Sequence, residues 1–362
     1  RTSVMQYKGV HKSLPEIARD LKVDAIVEGS VQRSGNQVRV TVNLIRAETD
    51  EHLFTQTYNR DLSDVLTFQS EVASAIARQI QITLTPLEEA TLTGGRQVNS
   101  EAYDKYLLGK FHETVLTDNE NQIAIKLLEH AVALDPNFAL GYAELAQAYT
   151  RRLNSFAPGD PEWEKKAMNA VEKALLLDPN VAEAYLARGL LLWTHSHGFP
   201  HETVIAEYRK ALSLNPNLDE AHHQLSVVFL HIGLFDEALK ELQTAIDINP
   251  SNTYAQYRRG SVYLYQGRPA EAQSVFERYG DASASPDYQP IWALFDLGRR
   301  DESLDSAKET MRRNPEDAGG TISSMMAILS AAGGDVREAE ARIKVATSKQ
   351  KGFIHFHHTA YN

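Results

Sequence analysis

Between Leu218 and Pro250, small and apolar residues recur at helical spacing in two consecutive runs. The first run carries His222, Leu225, Ser226 and Phe229 and closes at Gly233. The second carries Ala238, Leu242 and Ala245 and stops at Pro250, which has no backbone donor with which to continue a helix. The pattern predicts two short helices back to back. Ser226 and Ala238 are small enough for a close antiparallel crossing, and Ala245 stands where a following hairpin would dock. The spacing of the second helix, steps of four, three and five residues ending in proline, recurs at Ala124, Leu128, Ala131 and Pro136, at Ala167, Val171, Ala174 and Pro179, and at Val204, Tyr208, Ala211 and Pro216. Looser copies follow at Gly260, Gly267, Ala272 and Phe276, at Gly298, Ser303, Ala307 and Pro315, and at Ala327, Gly334, Ala339, Ile343 and Ala346. The count is about seven units. One hairpin cannot bury its own apolar stripe, so each unit requires its neighbours.

Residues 1–85 do not follow this rhythm. Ser13 before Leu14, Pro15 and Glu16 reads as a helix start, with Ile17, Ala18 and Leu21 as its apolar side. From Val23 the period falls to two. Val23, Ala25, Val27 and Val31 alternate with polar residues, Ser34, Gly35 and Asn36 turn the chain, and Val38, Val40, Val42 and Leu44 alternate with Arg39, Thr41 and Asn43. A third strand is predicted from His52 to Tyr58. Val65, Phe68, Val72, Ile76 and Ile80 then return to helical spacing and predict an amphipathic helix over one face of the sheet. Residues 86–99, with Pro86, Gly94 and Gly95, read as a linker, 100–352 as the repeats, and 353–362 as the opening of a further helix. The loop inside the second unit is expanded from Arg152 to Trp163, a smaller insertion in the third holds His195, His197, Gly198, Pro200 and His201, and the run from Asp281 to Pro290 predicts a looser joint.

The hairpin signature, with an expected period of about 34 residues, resembles the tetratricopeptide repeat. In the first quarter of the chain, Arg1-Thr2-Ser3-Val4, Glu28-Gly29-Ser30, the strand from Val38 to Ile45, and Tyr58-Asn59-Arg60-Asp61 resemble the TolB-like amino-terminal domain. Together the resemblances imply a small α+β domain followed by an all-α right-handed tetratricopeptide-repeat solenoid. They also imply the setting in which that pairing occurs: bacterial adenylate cyclases, serine/threonine kinases and winged-helix (CadC-like) regulators, with the periplasm slightly ahead of the cytoplasm. The family places a further strand and helix before the Arg-Thr-Ser-Val stretch. The expectation is therefore that the natural protein continues in both directions, with its output domain elsewhere.

Composition narrows the function. The formal charge of -11 over 362 residues disfavours nucleic acid and anionic membrane as partners of this segment. The absence of cysteine excludes disulfides, thiolate catalysis and cysteine-ligated zinc. No apolar run approaches the roughly 20 residues that span a bilayer. There is no phosphate-cradling glycine loop, no His-Glu-x-x-His pair and no glycine-flanked nucleophilic serine, and His112-Glu113 and His201-Glu202 lack a second histidine one turn later. The reading is non-enzymatic, with no cofactor and no metal. The histidines at 195, 197 and 201, at 222 and 223, and at 355, 357 and 358 are most simply solvated or stacked rings, with metal ligation and pH sensing as the alternatives.

The implied concave face is the better candidate. It should present Arg151 from the second unit, Leu186, Leu190 and Trp193 from the third, His223, Val227 and His231 from the fourth, and Tyr254, Tyr257, Ser261 and Tyr265 from the fifth. Aromatic rings give contact area at small entropic cost, so such a face suits an extended peptide or a helix. The positions that clamp a partner's terminal carboxylate in some relatives carry Tyr106, Ala143, Leu186, His223 and Tyr257 here, which disfavours that mode. The expected function is a non-catalytic protein-binding and scaffold module of a signalling protein. Its rivals are a self-assembling element that stacks by its repeat ends, hence a homo-oligomer, and a periplasmic small-molecule or pH sensor.

Overall fold

The computed structural model describes residues 12–61 apart from 22 and 36, residues 71, 72, 75 and 76, and residues 98–349 apart from 116, 158, 195, 196, 251, 281–287, 314, 316, 318 and 319. The Arg1–Val4 stretch, most of the helix read over 65–80, the linker up to residue 97, His195, the run 281–287, and the segment 353–362 with its three histidines lie outside the described residues. Contacts divide the chain into two compact units, one of residues 1–149 with 166–184 and one of residues 150–165 with 185–362.

The first unit opens with α1, Leu14–Leu21. Its start is fixed as the sequence predicts: the Ser13 amide and hydroxyl both donate to the Glu16 carboxylate, at 2.8 and 2.7 Å. Three antiparallel strands follow, β1 (Ala25–Ser34), β2 (Gln37–Arg46) and β3 (Glu51–Asp61), in the order β1-β2-β3. The tight β1–β2 turn uses Gly35 at φ 61°. Register places Val31 opposite Val40 and Val40 opposite Tyr58. One face therefore gathers Val38, Val42, Leu44 and Tyr58, all buried, while the other carries cross-strand polar pairs, Thr41 with Thr57 and Arg39 with Asn59. Val27 and Val31 share the apolar face yet are 51% and 69% exposed.

The remaining helices of the first unit are α2 (Ser100–Glu113), α3 (Asp118–Leu134) and the greater parts of α4 (Ala139–Arg151), as far as Tyr149, and of α5 (Pro161–Leu177). Asn99 caps α2 by accepting from the amides of Glu101 and Ala102 at 3.0 and 3.1 Å. Between α2 and α3, buried Asn121 donates to Glu113 and to the Ala148 carbonyl, both at 3.0 Å. His112 meets Glu120 at 2.5 Å.

The second unit runs from the greater part of α6 (Ala182–Leu192), beginning at Tyr185, through α7 (His201–Leu214), α8 (Asp219–His231), α9 (Phe235–Ile248), α10 (Thr253–Tyr265), α11 (Pro269–Tyr279), α12 (Gln289–Asp296), α13 (Arg300–Arg313) and α14 (Thr321–Ala332) to α15 (Val336–Lys349). Fourteen helices, α2 to α15, thus follow the small sheet among the described residues, as the sequence pattern requires.

Size complementarity holds each hairpin together. A Cβ on Gly189 would stand 2.3 Å from the ring of Tyr208, and one on Gly260 would stand 2.5 Å from the ring of Phe276. The missing side chain on one helix makes room for an aromatic on the next, and Tyr208 and Phe276 are accordingly buried. The small and apolar residues at the core of the predicted second helices are buried, with Ala124, Leu128, Ala167, Val171, Val204, Ala238, Leu242 and Ala272 at 5% exposure or less, while the closing prolines are exposed or half-buried and, in the last copy, Ile343 is 53% exposed. The stretch from Arg152, read as a loop, continues α4 as a π-helix over Arg152–Phe156, and this segment packs with the second unit.

Candidate partner-binding face

All eleven candidate residues fall in the second unit, and the structure divides them by exposure. Tyr254 and Tyr265 stand out at 39% and 41% exposed. Arg151, Leu190, Trp193, Val227 and His231 are half-buried. Leu186, His223, Tyr257 and Ser261 are buried, at 2%, 6%, 6% and 0%, which corrects the expectation that they are displayed. The reason is packing. Leu186 belongs to a core with Val204, Tyr208 and Leu242, the Tyr257 ring lies on Phe276 at 4.9 Å between centroids, and the Ser261 hydroxyl donates to Gln289 Oε1 at 2.6 Å. Residues read as lining are thus the walls behind the lining.

The α6–α7 insertion builds an aromatic nest. Trp193 packs edge-on against Phe199, His201 and His231, at 5.1, 5.3 and 5.0 Å. Gly198 and Phe199 both take positive φ, 67° and 51°, a costly conformation for a bulky residue, and the chain then enters α7 at His201. His201 Nε2 and His231 Nδ1 face each other at 2.7 Å, so a single proton lies between the two rings. His197 turns to Thr194, at 2.8 Å, and towards Glu164, at 3.4 Å.

A polar row continues along α8 and α10. Glu220 accepts from Gln224 Nε2 at 2.6 Å and lies 3.6 Å from His223 Nδ1. Burial pushes the Glu220 carboxyl upward, but His223, Gln224 and Arg151 outweigh it and hold the group below the usual carboxylate range. Burial raises the Tyr254 phenol, which Arg151 opposes and Glu220 reinforces. Arg151, Glu220 and Tyr254, from three different helices, therefore act as one electrostatic group. Among the described residues no three metal-ligating side chains converge, and no helix is long and apolar enough to cross a membrane.

Residues 228–267, which run from the end of α8 through α9 and α10, match the family model described as TPR repeat. That matched segment is similar to a tetratricopeptide repeat. Over 195 residues, 53% of this chain and 33% of the relative, the chain is 29% identical to a Rhizobium meliloti (strain 1021) protein carrying the provisional name adenylate cyclase 3. The chain thus spans about a third of the length of that curated relative. Among solved structures, a tetratricopeptide repeat protein from Parabacteroides merdae ATCC 43184 is similar at TM-score 0.47 and 14% identity, over 71% of this chain and 96% of that one. Pseudomonas aeruginosa pilF is similar at TM-score 0.45 and 18% identity, over 60% and 94%.

Within the helical series, three features of this face were not legible in the sequence. Glu220 and Gln224 look like an ordinary solvated helix pair, and only their meeting with Arg151, some 70 residues earlier, makes them part of the face. Arg258 sits one turn after Tyr254 on the same side of α10, but that its Nε is sealed without an acceptor follows only from packing. The His201–His231 pair has no local signal, because 30 residues separate its members.

Proposed function

We propose that this chain is a non-catalytic binding and regulatory module of a bacterial signalling protein, which takes a peptide or protein partner along the inner helices of its second unit. What supports this reading most is the row of Trp193, His231, Tyr254 and Tyr265, half-buried or exposed rings carried on a scaffold of fully buried small-to-large contacts. Rings with few rotamers, fixed from behind, lose little freedom when a partner covers them. The likeness to the Rhizobium meliloti relative supports an output domain outside the matched third of that protein, so this segment reports to a catalytic or regulatory partner domain and performs no chemistry of its own. The TolB-like character of the first unit belongs to the same proposal.

The test is binding of fluorescein-labelled decapeptide pools by anisotropy. Tyr254→Ala with Tyr265→Ala should weaken binding by about tenfold or more, as loss of aromatic anchors does, with an unchanged melting temperature because both rings are exposed. Unaltered binding in the double variant would remove the proposal.

A further inference from the structure

We infer that Arg258 anchors an acidic side chain, Asp or Glu, of a peptide that lies along α8 and α10; the inference rests on the binding reading above. Arg258 is the charged group on this face that the fold leaves unanswered. Its Nε is sealed from solvent with no acceptor, and no carboxylate of the described residues pairs with it. Burial opposes its charge, and only Tyr288 acts in its favour. A guanidinium partly withdrawn from water gains from a carboxylate that replaces the lost hydration. The residue as a whole is partly exposed.

Glu220 on α8 does not answer it: the carboxylate accepts from Gln224 and is held by His223 and Arg151, and it is not among the groups that act on Arg258. A carboxylate fits a guanidinium fork in two parallel bonds, and the amide of Asn or Gln does not.

The position of Arg258 selects a side-chain acid over a chain terminus. Exposed Tyr254 lies one turn before it on α10 and exposed Tyr265 two turns after it, so the contact surface continues on both sides of the charge. A peptide covering both rings passes Arg258 with its middle.

Four labelled decapeptides of otherwise identical Ala, Ser, Leu and Tyr content decide the matter on the full chain at low ionic strength. One carries a central Glu and one a central Gln, each with a free and with an amidated carboxyl terminus. The Glu peptides should bind about tenfold to a hundredfold tighter than the Gln peptides, the range expected of a charge-assisted bond, whatever the terminus. Arg258→Gln should erase that preference and leave the melting temperature equal or higher, since it removes an unpaired buried charge. Equal affinity for Glu and Gln, or a preference that survives Arg258→Gln, overturns the inference while leaving the binding reading in place. A preference that follows the free terminus assigns Arg258 to a chain end and overturns the side-chain assignment. A clear fall in melting temperature in Arg258→Gln makes the residue structural. Failure of all four peptides to bind, with the random pools also silent, removes the binding reading and the inference together.

Discussion

At the scale of single residues, the second unit is governed by pairs in which one partner is small because the other is large. Gly189 and Tyr208 are the sharpest case, with 2.3 Å from an added Cβ to the ring. A ring sealed between helices cannot swing away, so Gly189→Ala should cost about 1–3 kcal/mol by overpacking. The hydroxyl of the same Tyr208 is buried without a partner, and burial pushes its phenol well above the ordinary range. Tyr208→Phe removes that unsatisfied group with no change in ring packing. It should leave stability unchanged or raise it by about 1 kcal/mol. Urea midpoints of the two variants check both statements: that of Gly189→Ala should fall and that of Tyr208→Phe should not. These positions were visible in the sequence as a spacing of small and apolar residues, but which residue filled the gap left by which glycine was not.

At the scale of elements, hairpins are tied at their edges by polar side chains that reach from one helix to the next. His222 on α8 meets Glu241 on α9 at 2.5 Å and donates from Nε2 to the Pro216 carbonyl at 3.2 Å. Burial alone would pull the imidazole down, but Glu241, Pro216 and Asp219 reverse this and the folded pKa is raised. The sign follows directly. A group whose pKa is higher in the folded than in the unfolded chain stabilises fully below the unfolded value, about 6.5 for histidine, and that contribution disappears as pH rises through the folded value. The melting-temperature difference between the wild type and His222→Gln should therefore be largest in mildly acid solution and shrink towards alkaline pH. Scans of both proteins at a series of pH values test it, and a difference that grows with pH would contradict the assignment. The helices and their order could be anticipated because apolar periodicity is local. The continuation of α4 into a π-helix at Arg152–Phe156 could not, because the segment is held by the second unit and not by its own pattern.

At the scale of the whole molecule, the two compact units give a direct experimental handle. The chain's three tryptophans, Trp163, Trp193 and Trp292, all belong to the second unit, while backbone circular dichroism reports helices from both. Arrays of repeats hold together through neighbour contacts and lose single-step cooperativity as they lengthen. Urea unfolding followed by tryptophan fluorescence and by far-ultraviolet dichroism should therefore give transitions that do not coincide. Superimposable curves would show that the units unfold as one. The same division bears on function, because the aromatic row, the polar row and Arg258 all lie in the second unit.

The sequence by itself determined the class of fold, since a period of two in strands and a recurring small-large-small pattern in paired helices are written within a few dozen residues of each other. It also pointed to the helices whose inner sides form the candidate face. Tertiary structure alone decided which of those residues are reachable, turning Leu186, His223, Tyr257 and Ser261 inward and leaving Tyr254 and Tyr265 outside. It alone brought His201 to His231 and Arg151 to Glu220, and it alone left the Arg258 Nε without an acceptor among the described residues. The physical reason is range: burial and charge pairing are set by residues far apart in the chain, and no local spacing encodes them.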